Sequence, residues 1–149
     1  MRTIQVRRTL AAPIDRVFDV ISDHAGYVNF QGVRASTVTK PGTTEPNGLG
    51  AQREVDLGVA WVREEITRFE RPTRMDYRII KSKPRMEHEL GSVELVAVAG
   101  GTDVTWTTRF RVRIPVIGGL VTAIAARRMK RLLGVALANV EQRAAAAAA

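Results

Sequence analysis

Acid–base chemistry in this chain has few side chains to draw on. There is no cysteine, and the two histidines are His24 and His88. His88 lies in Met-Glu-His-Glu-Leu, where alternation along a strand points either His88 or the pair Glu87 and Glu89 inward. A buried imidazole or carboxylate there has a displaced pKa and serves as general acid or base, whereas on a surface strand it stays solvated and inert. Tyr77 carries a hydroxyl that needs a partner once buried, supplied by the protein or by a ligand. His24 and Tyr27 fall in an irregular segment that would sit near the mouth of an internal cavity. His24, Tyr77, His88 and Glu89 are therefore the candidate catalytic groups. Without cysteine there is no thiol nucleophile and no thiolate metal site, and two histidines alone do not hold a metal, so neither metal nor cofactor is expected.

Two other clusters invite a functional reading. Asn47-Gly48-Leu49-Gly50 has the glycine content of a phosphate cradle but lacks the Gly-Lys-Ser/Thr ending and a following helix, so tight-turn glycine is the better account. Arg127, Arg128, Lys130 and Arg131 crowd the middle of the last helix. Arg128 falls close to an apolar stripe and could reach a cavity opening; otherwise these stems lie along a solvated face.

The elements that must position these groups follow from periodicity. Residues 3–10 read as a strand. Pro13 opens a short helix with Asp15 at its positive end and Val17, Phe18 and Ile21 inward. An irregular helical or turn segment follows over 22–32. Strands follow at 33–39, 51–58, 59–69, 74–81, 86–98 and 102–113, with a turn-rich loop at 40–50. Gly91 marks a bulge, since apolar parity changes across it. From Gly118 to about Arg143 the residues Leu120, Val121, Ile124, Ala125, Leu132, Val135, Ala136 and Val140 recur at helical spacing. A rod of roughly 39 Å cannot bury that stripe on itself, so it needs a large antiparallel sheet to lie in, and the pair makes a container.

Parity nominates the lining of that container. Val104, Trp106, Thr108, Phe110 and Val112 share one face of the last strand, as Met75, Tyr77 and Ile79 do of theirs. The strand at 59–69 is ambiguous: Val62, Glu64 and Ile66 compete with Trp61, Arg63 and Glu65. Arg53 pairs with an inward glutamate or binds a ligand carboxylate. The expected ligand-binding set is Tyr27, Phe30, Arg53, Trp61, Met75, Tyr77, Ile79, Trp106, Thr108 and Phe110, with Leu120, Ile124 and Arg128 from the helix.

The order of elements, with its punctuation, resembles the START-like or SRPBCC superfamily. The stretches that carry the likeness are AAPIDRVFDVISD, NGLGAQREV, ITRFERPTRMDYRI and GGTDVTWTTRF, and they span about residues 4–142. The resemblance implies an α+β helix-grip fold, a curved antiparallel seven-stranded sheet wrapped around the C-terminal helix with two short helices after the first strand. It implies binding of a hydrophobic small molecule, a lipid, polyketide-like or aromatic compound. The superfamily also hosts polyketide cyclases and dehydratases, so fold alone does not decide between carrier and catalyst.

Size and charge bound the remainder. A chain of 149 residues that is 45% hydrophobic makes one domain, 1–149, with the alanines at 144–149 extending or fraying from the helix. No apolar run is long enough to span a bilayer and no secretory signal is visible, so a cytoplasmic protein is expected, as monomer or homodimer. The net charge of +8 admits transient contact with an anionic membrane. Nucleic acid is not expected as a partner, because aromatic residues are not interleaved with the basic ones.

Overall fold

The structure, a computed structural model, describes residues 1–148; position 149 of the expected alanine tail lies outside them. Strand β1 (Arg2–Leu10) leads into helix α1 (Ile14–Ser22) and a 3₁₀ turn (Ala25–Asn29). Six strands follow: β2 (Ala35–Lys40), β3 (Gln52–Asp56), β4 (Trp61–Glu70), β5 (Arg74–Lys83), β6 (Met86–Val98) and β7 (Gly101–Val112). Helix α2 (Gly118–Ala148) closes the chain.

All seven strands form one antiparallel sheet in the order β1-β7-β6-β5-β4-β3-β2. Strands β2 to β7 are consecutive neighbours, as tight turns between period-two segments require. Only β1 leaves that meander, pairing with β7 along its whole length. On β7 the alternate residues Val104, Trp106, Thr108, Phe110 and Val112 are buried. On β4 the ambiguity resolves in favour of Val62, Glu64 and Ile66, which are buried while Trp61, Arg63 and Glu65 are not. Arg63 lies over the Trp61 ring on that outer face, 5.8 Å from its centroid.

Helix α2 crosses the concave face on most of the stripe its apolar residues suggest, with Ala136 and Val140 in the core, but Leu120 and Ile124 of that stripe turn outward. Leu133, Ala136, Leu137, Val140 and Ala144 enter the core beside Phe18, Ile21 and Val93. Ile124 precedes Leu133 by nine residues, about two and a half turns at 3.6 residues per turn, so it faces the opposite way. Ile124 is 49% and Leu120 65% exposed. The amino-terminal half of α2 is seated by Val121 and Ala125 against Ile4, Phe110 and Val112, and by Thr122, whose buried hydroxyl accepts the Val112 N–H at 3.0 Å and donates to the Gly118 carbonyl at 2.7 Å.

Gly91 is not a bulge. It pairs in register with Tyr77 and with Thr108, and the irregularity falls earlier, between His88 and Leu90. The reason for glycine is space: a Cβ at position 91 would lie 2.4 Å from the Tyr77 ring.

Candidate functional site

Between the sheet and α2 lies a cavity of about 80 Å³. Its walls come from Tyr27 and Phe30 on and beside the 3₁₀ turn, Tyr77 and Ile79 on β5, and Trp106 and Thr108 on β7. Met129, Leu132, Leu133 and Ala136 of α2 close it, and Arg53 with Glu64 supplies charge on the β3–β4 side.

Arg53 and Glu64 stand directly opposite each other in the β3–β4 register. Arg53 Nε donates to Glu64 Oε2 at 2.7 Å, and the two residues are 1% and 8% exposed. The guanidinium lies against two aromatic rings, 4.8 Å from the Tyr27 centroid and 5.3 Å from that of Tyr77. Such contacts suit a planar, weakly hydrated cation. Burial works against its charge, but Tyr27 and Glu64 outweigh that and hold the Arg53 pKa above its ordinary value.

The two histidines are committed to structure. Arg53 Nη1 donates to His24 Nδ1 at 2.9 Å, and His24 Nε2 is 2.8 Å from the Asn47 carbonyl, an acceptor. These partners fix the neutral tautomer with its proton on Nε2. Burial, aided by Arg53, pushes the His24 pKa down to about 3. His24 is fully buried behind Arg53, not at the cavity mouth.

His88 fills a gap in the sheet. The β5–β6 ladder runs only from Arg74–Glu94 to Tyr77–Gly91. Beyond it the Ile79 N–H, left without a ladder partner, donates to His88 Nδ1 at 3.1 Å. His88 Nε2 lies 3.0 Å from Thr108 Oγ1 and so donates to it, and the ring stacks on Tyr77 with centroids 5.6 Å apart. Burial lowers the His88 pKa. The one free lone pair of this imidazole, on Nδ1, is therefore occupied by a protein donor.

Tyr77 accepts the Trp106 Nε1–H at 2.8 Å. Burial first, then Glu64, pushes its phenol well above the usual range. The Tyr27 hydroxyl donates to the Ile21 carbonyl at 2.5 Å, and burial raises its pKa too. Both phenols stay protonated, and they act as walls and hydrogen-bond partners.

Of the residues expected from sequence, Tyr27, Phe30, Arg53, Tyr77, Ile79, Trp106 and Thr108 are brought together around this cavity. Others go elsewhere. Trp61 stands on the outer face of β4, because the inward set is that of Glu64. Glu89 is exposed and pairs with Arg109 at 3.1 Å, displaced by the irregularity after His88. Met75 is core without touching the cavity. Phe110, Ile124 and Arg128 line a separate outer groove of about 360 Å³, and Leu120 is in solvent. Sequence reasoning missed Met129 and Leu133, hidden beside the basic cluster; counting back in fours from Leu137 would have found both.

A curved antiparallel sheet closed by a C-terminal helix over an apolar cavity defines a helix-grip protein of the START-like type. The chain belongs to the family described as polyketide cyclase / dehydrase and lipid transport, whose model matches residues 1–145. Among solved structures it is similar to a protein of Thermus thermophilus, at 19% identity and a TM-score of 0.81, with 99% of this chain and 100% of that one covered. A START superfamily protein from Mycobacterium smegmatis aligns at 13% identity and a TM-score of 0.74, covering 94% and 97%. The Zhui aromatase/cyclase from Streptomyces sp. R1128 aligns at 21% identity and a TM-score of 0.70, covering 96% and 93%. At such identities the likeness is one of fold. No curated protein sequence is matched.

Proposed function

We propose that this protein binds a hydrophobic small molecule, aromatic or polyketide-like, in the cavity between the sheet and α2. The observation that carries this reading is the combination of an apolar aromatic chamber with one buried ion pair on its wall. Replacing a buried pair by apolar residues is often neutral or stabilising, so stability alone gives little reason to keep one. A ligand bearing a hydroxyl or carbonyl group gives Arg53, Tyr77 and Thr108 something to orient.

The 80 Å³ of this cavity is smaller than the roughly 150 Å³ void that accepts benzene. The ligand therefore needs more room than this cavity alone offers. Met129, Leu132 and Leu57 line both the cavity and the outer groove. Met129 is unbranched and adaptable, so its displacement joins the two spaces. A compact aromatic compound fits this better than a long acyl chain. The cyclase or dehydratase reading has weaker support, because a general base needs a free lone pair and both imidazoles have spent theirs.

Trp106 reports directly on occupancy once the outer tryptophan is removed. In Trp61→Phe protein, titration with a panel of planar phenols is expected to change Trp106 emission saturably at one ligand per chain. A flat response across aromatic and fatty-acid ligands alike would remove the proposal.

A further inference from the structure

At one end of the sheet the turns at 57–60 and 83–85 and the loop at 113–117 gather beside the first turns of α2. Apolar side chains stand in solvent there. Val59 is 76%, Leu120 65%, Ile117 52% and Ile124 49% exposed, and Val116 is fully so. Val116 also has φ at 68°, a region in which a β-branched residue is a genuine outlier. The backbone therefore holds an apolar side chain outward at a conformational cost. Val59, Ile124 and Pro84 line a single groove with Arg128.

Charge at this end is unbalanced. Between Asp103 and Glu141 the chain has no acidic residue. The sheet's outward arginines are largely neutralised, as Arg63 is by Glu54, Arg78 by Glu65, and Arg111 and Arg113 by Glu87. By contrast Arg127, Arg128, Lys130 and Arg131 are exposed, and none has a salt bridge among the described residues. Leu120, Ile124, Arg128 and Arg131 follow one another at three- and four-residue steps, so the outward strip of α2 is apolar at its start and basic beyond.

From this we infer that the β7–α2 end of the molecule docks on an anionic lipid bilayer, with Val116, Ile117, Leu120 and Ile124 entering the headgroup region and the α2 arginines meeting lipid charge. Apolar residues rimmed by cations is the arrangement such a surface selects, since burial and electrostatic attraction then add. This inference does not depend on which compound fills the cavity.

The test is sedimentation with phosphatidylcholine vesicles, with and without phosphatidylserine, at low and high salt. The wild-type protein is expected to bind only the phosphatidylserine-containing vesicles, and less at high salt. Arg127→Ala with Arg131→Ala should weaken binding by roughly fivefold per arginine removed. Leu120→Ser with Ile124→Ser should weaken it at least tenfold at about the apolar burial these side chains offer. All four positions are exposed, and unchanged melting curves confirm that the variants fold. Absence of vesicle binding overturns the inference. So does loss with the arginine pair but not the apolar pair, which marks a purely electrostatic site such as nucleic acid would use. An apolar pair that abolishes self-association and leaves vesicle binding intact makes the patch a contact with a second copy, and also overturns it.

Discussion

Acid should destabilise this protein through His24 well before its carboxylates are protonated. In the unfolded chain His24 takes a proton near its ordinary pKa of 6.5, whereas in the fold it resists down to about 3. Below 6.5 the unfolded state therefore binds a proton that the native state refuses, and stability falls as pH drops through that window. Above it the two states bind protons alike and His24 contributes no pH dependence. At about pH 5 the cost is about 2 kcal/mol, from one and a half pH steps of about 1.4 kcal/mol each. His88, also lowered by burial, adds in the same direction. Carboxylates held low by ion pairs, such as Glu87 beside Arg111 and Glu45 beside Arg71, give up their contribution further down. The assay is urea unfolding of wild type and His24→Gln near neutral pH and again at about pH 5. The variant is less stable outright, but its loss between the two pH values should be smaller by about 2 kcal/mol. Equal losses would refute the placement of His24 as a neutral, buried acceptor for Arg53.

Two further perturbations test the site's construction. Glu64→Gln leaves Arg53 charged and buried without its counter-ion and should cost about 3–5 kcal/mol in urea unfolding, whereas Arg53→Met with Glu64→Leu should cost less than either single change. Gly91→Ala puts a Cβ against the Tyr77 ring, which its bond from Trp106 holds in place. About 1–3 kcal/mol should be lost, and less of it in a Tyr77→Leu background, measured by the same unfolding curves.

Legibility in the sequence follows the regularity of each element. On β7 the uninterrupted alternation from Thr102 to Val112 makes Trp106 and Thr108 inward by parity alone, and they are buried. The antiparallel meander and the long helix are readable for the same reason. On β4 both alternating sets contain an apolar or aromatic member, and the inward one is marked by the buried contact of Glu64 with Arg53 across the ladder. That contact joins residues 11 apart in sequence, and no local pattern encodes it. His24 is misplaced by sequence reasoning because a 3₁₀ turn has no long period to read. Glu89 is misplaced because the irregularity falls after His88, where nothing in the residue types marks it, and not at Gly91. In α2 the apolar residues at 120 and 124 belong to a second, outward face, so a stripe that includes them is drawn too wide at its start, while Ala136 and Val140 are core as expected.

Occupancy of the cavity is tested most directly by native mass spectrometry of the protein titrated with a phenolic ligand that shifts Trp106 emission. Ala136 is buried and lines the chamber, so Ala136→Leu places a side chain where the ligand would sit. A one-to-one complex in wild type and in Trp61→Phe, absent in folded Ala136→Leu, is the expected result. A complex that persists unchanged in folded Ala136→Leu would contradict the account and place the ligand elsewhere.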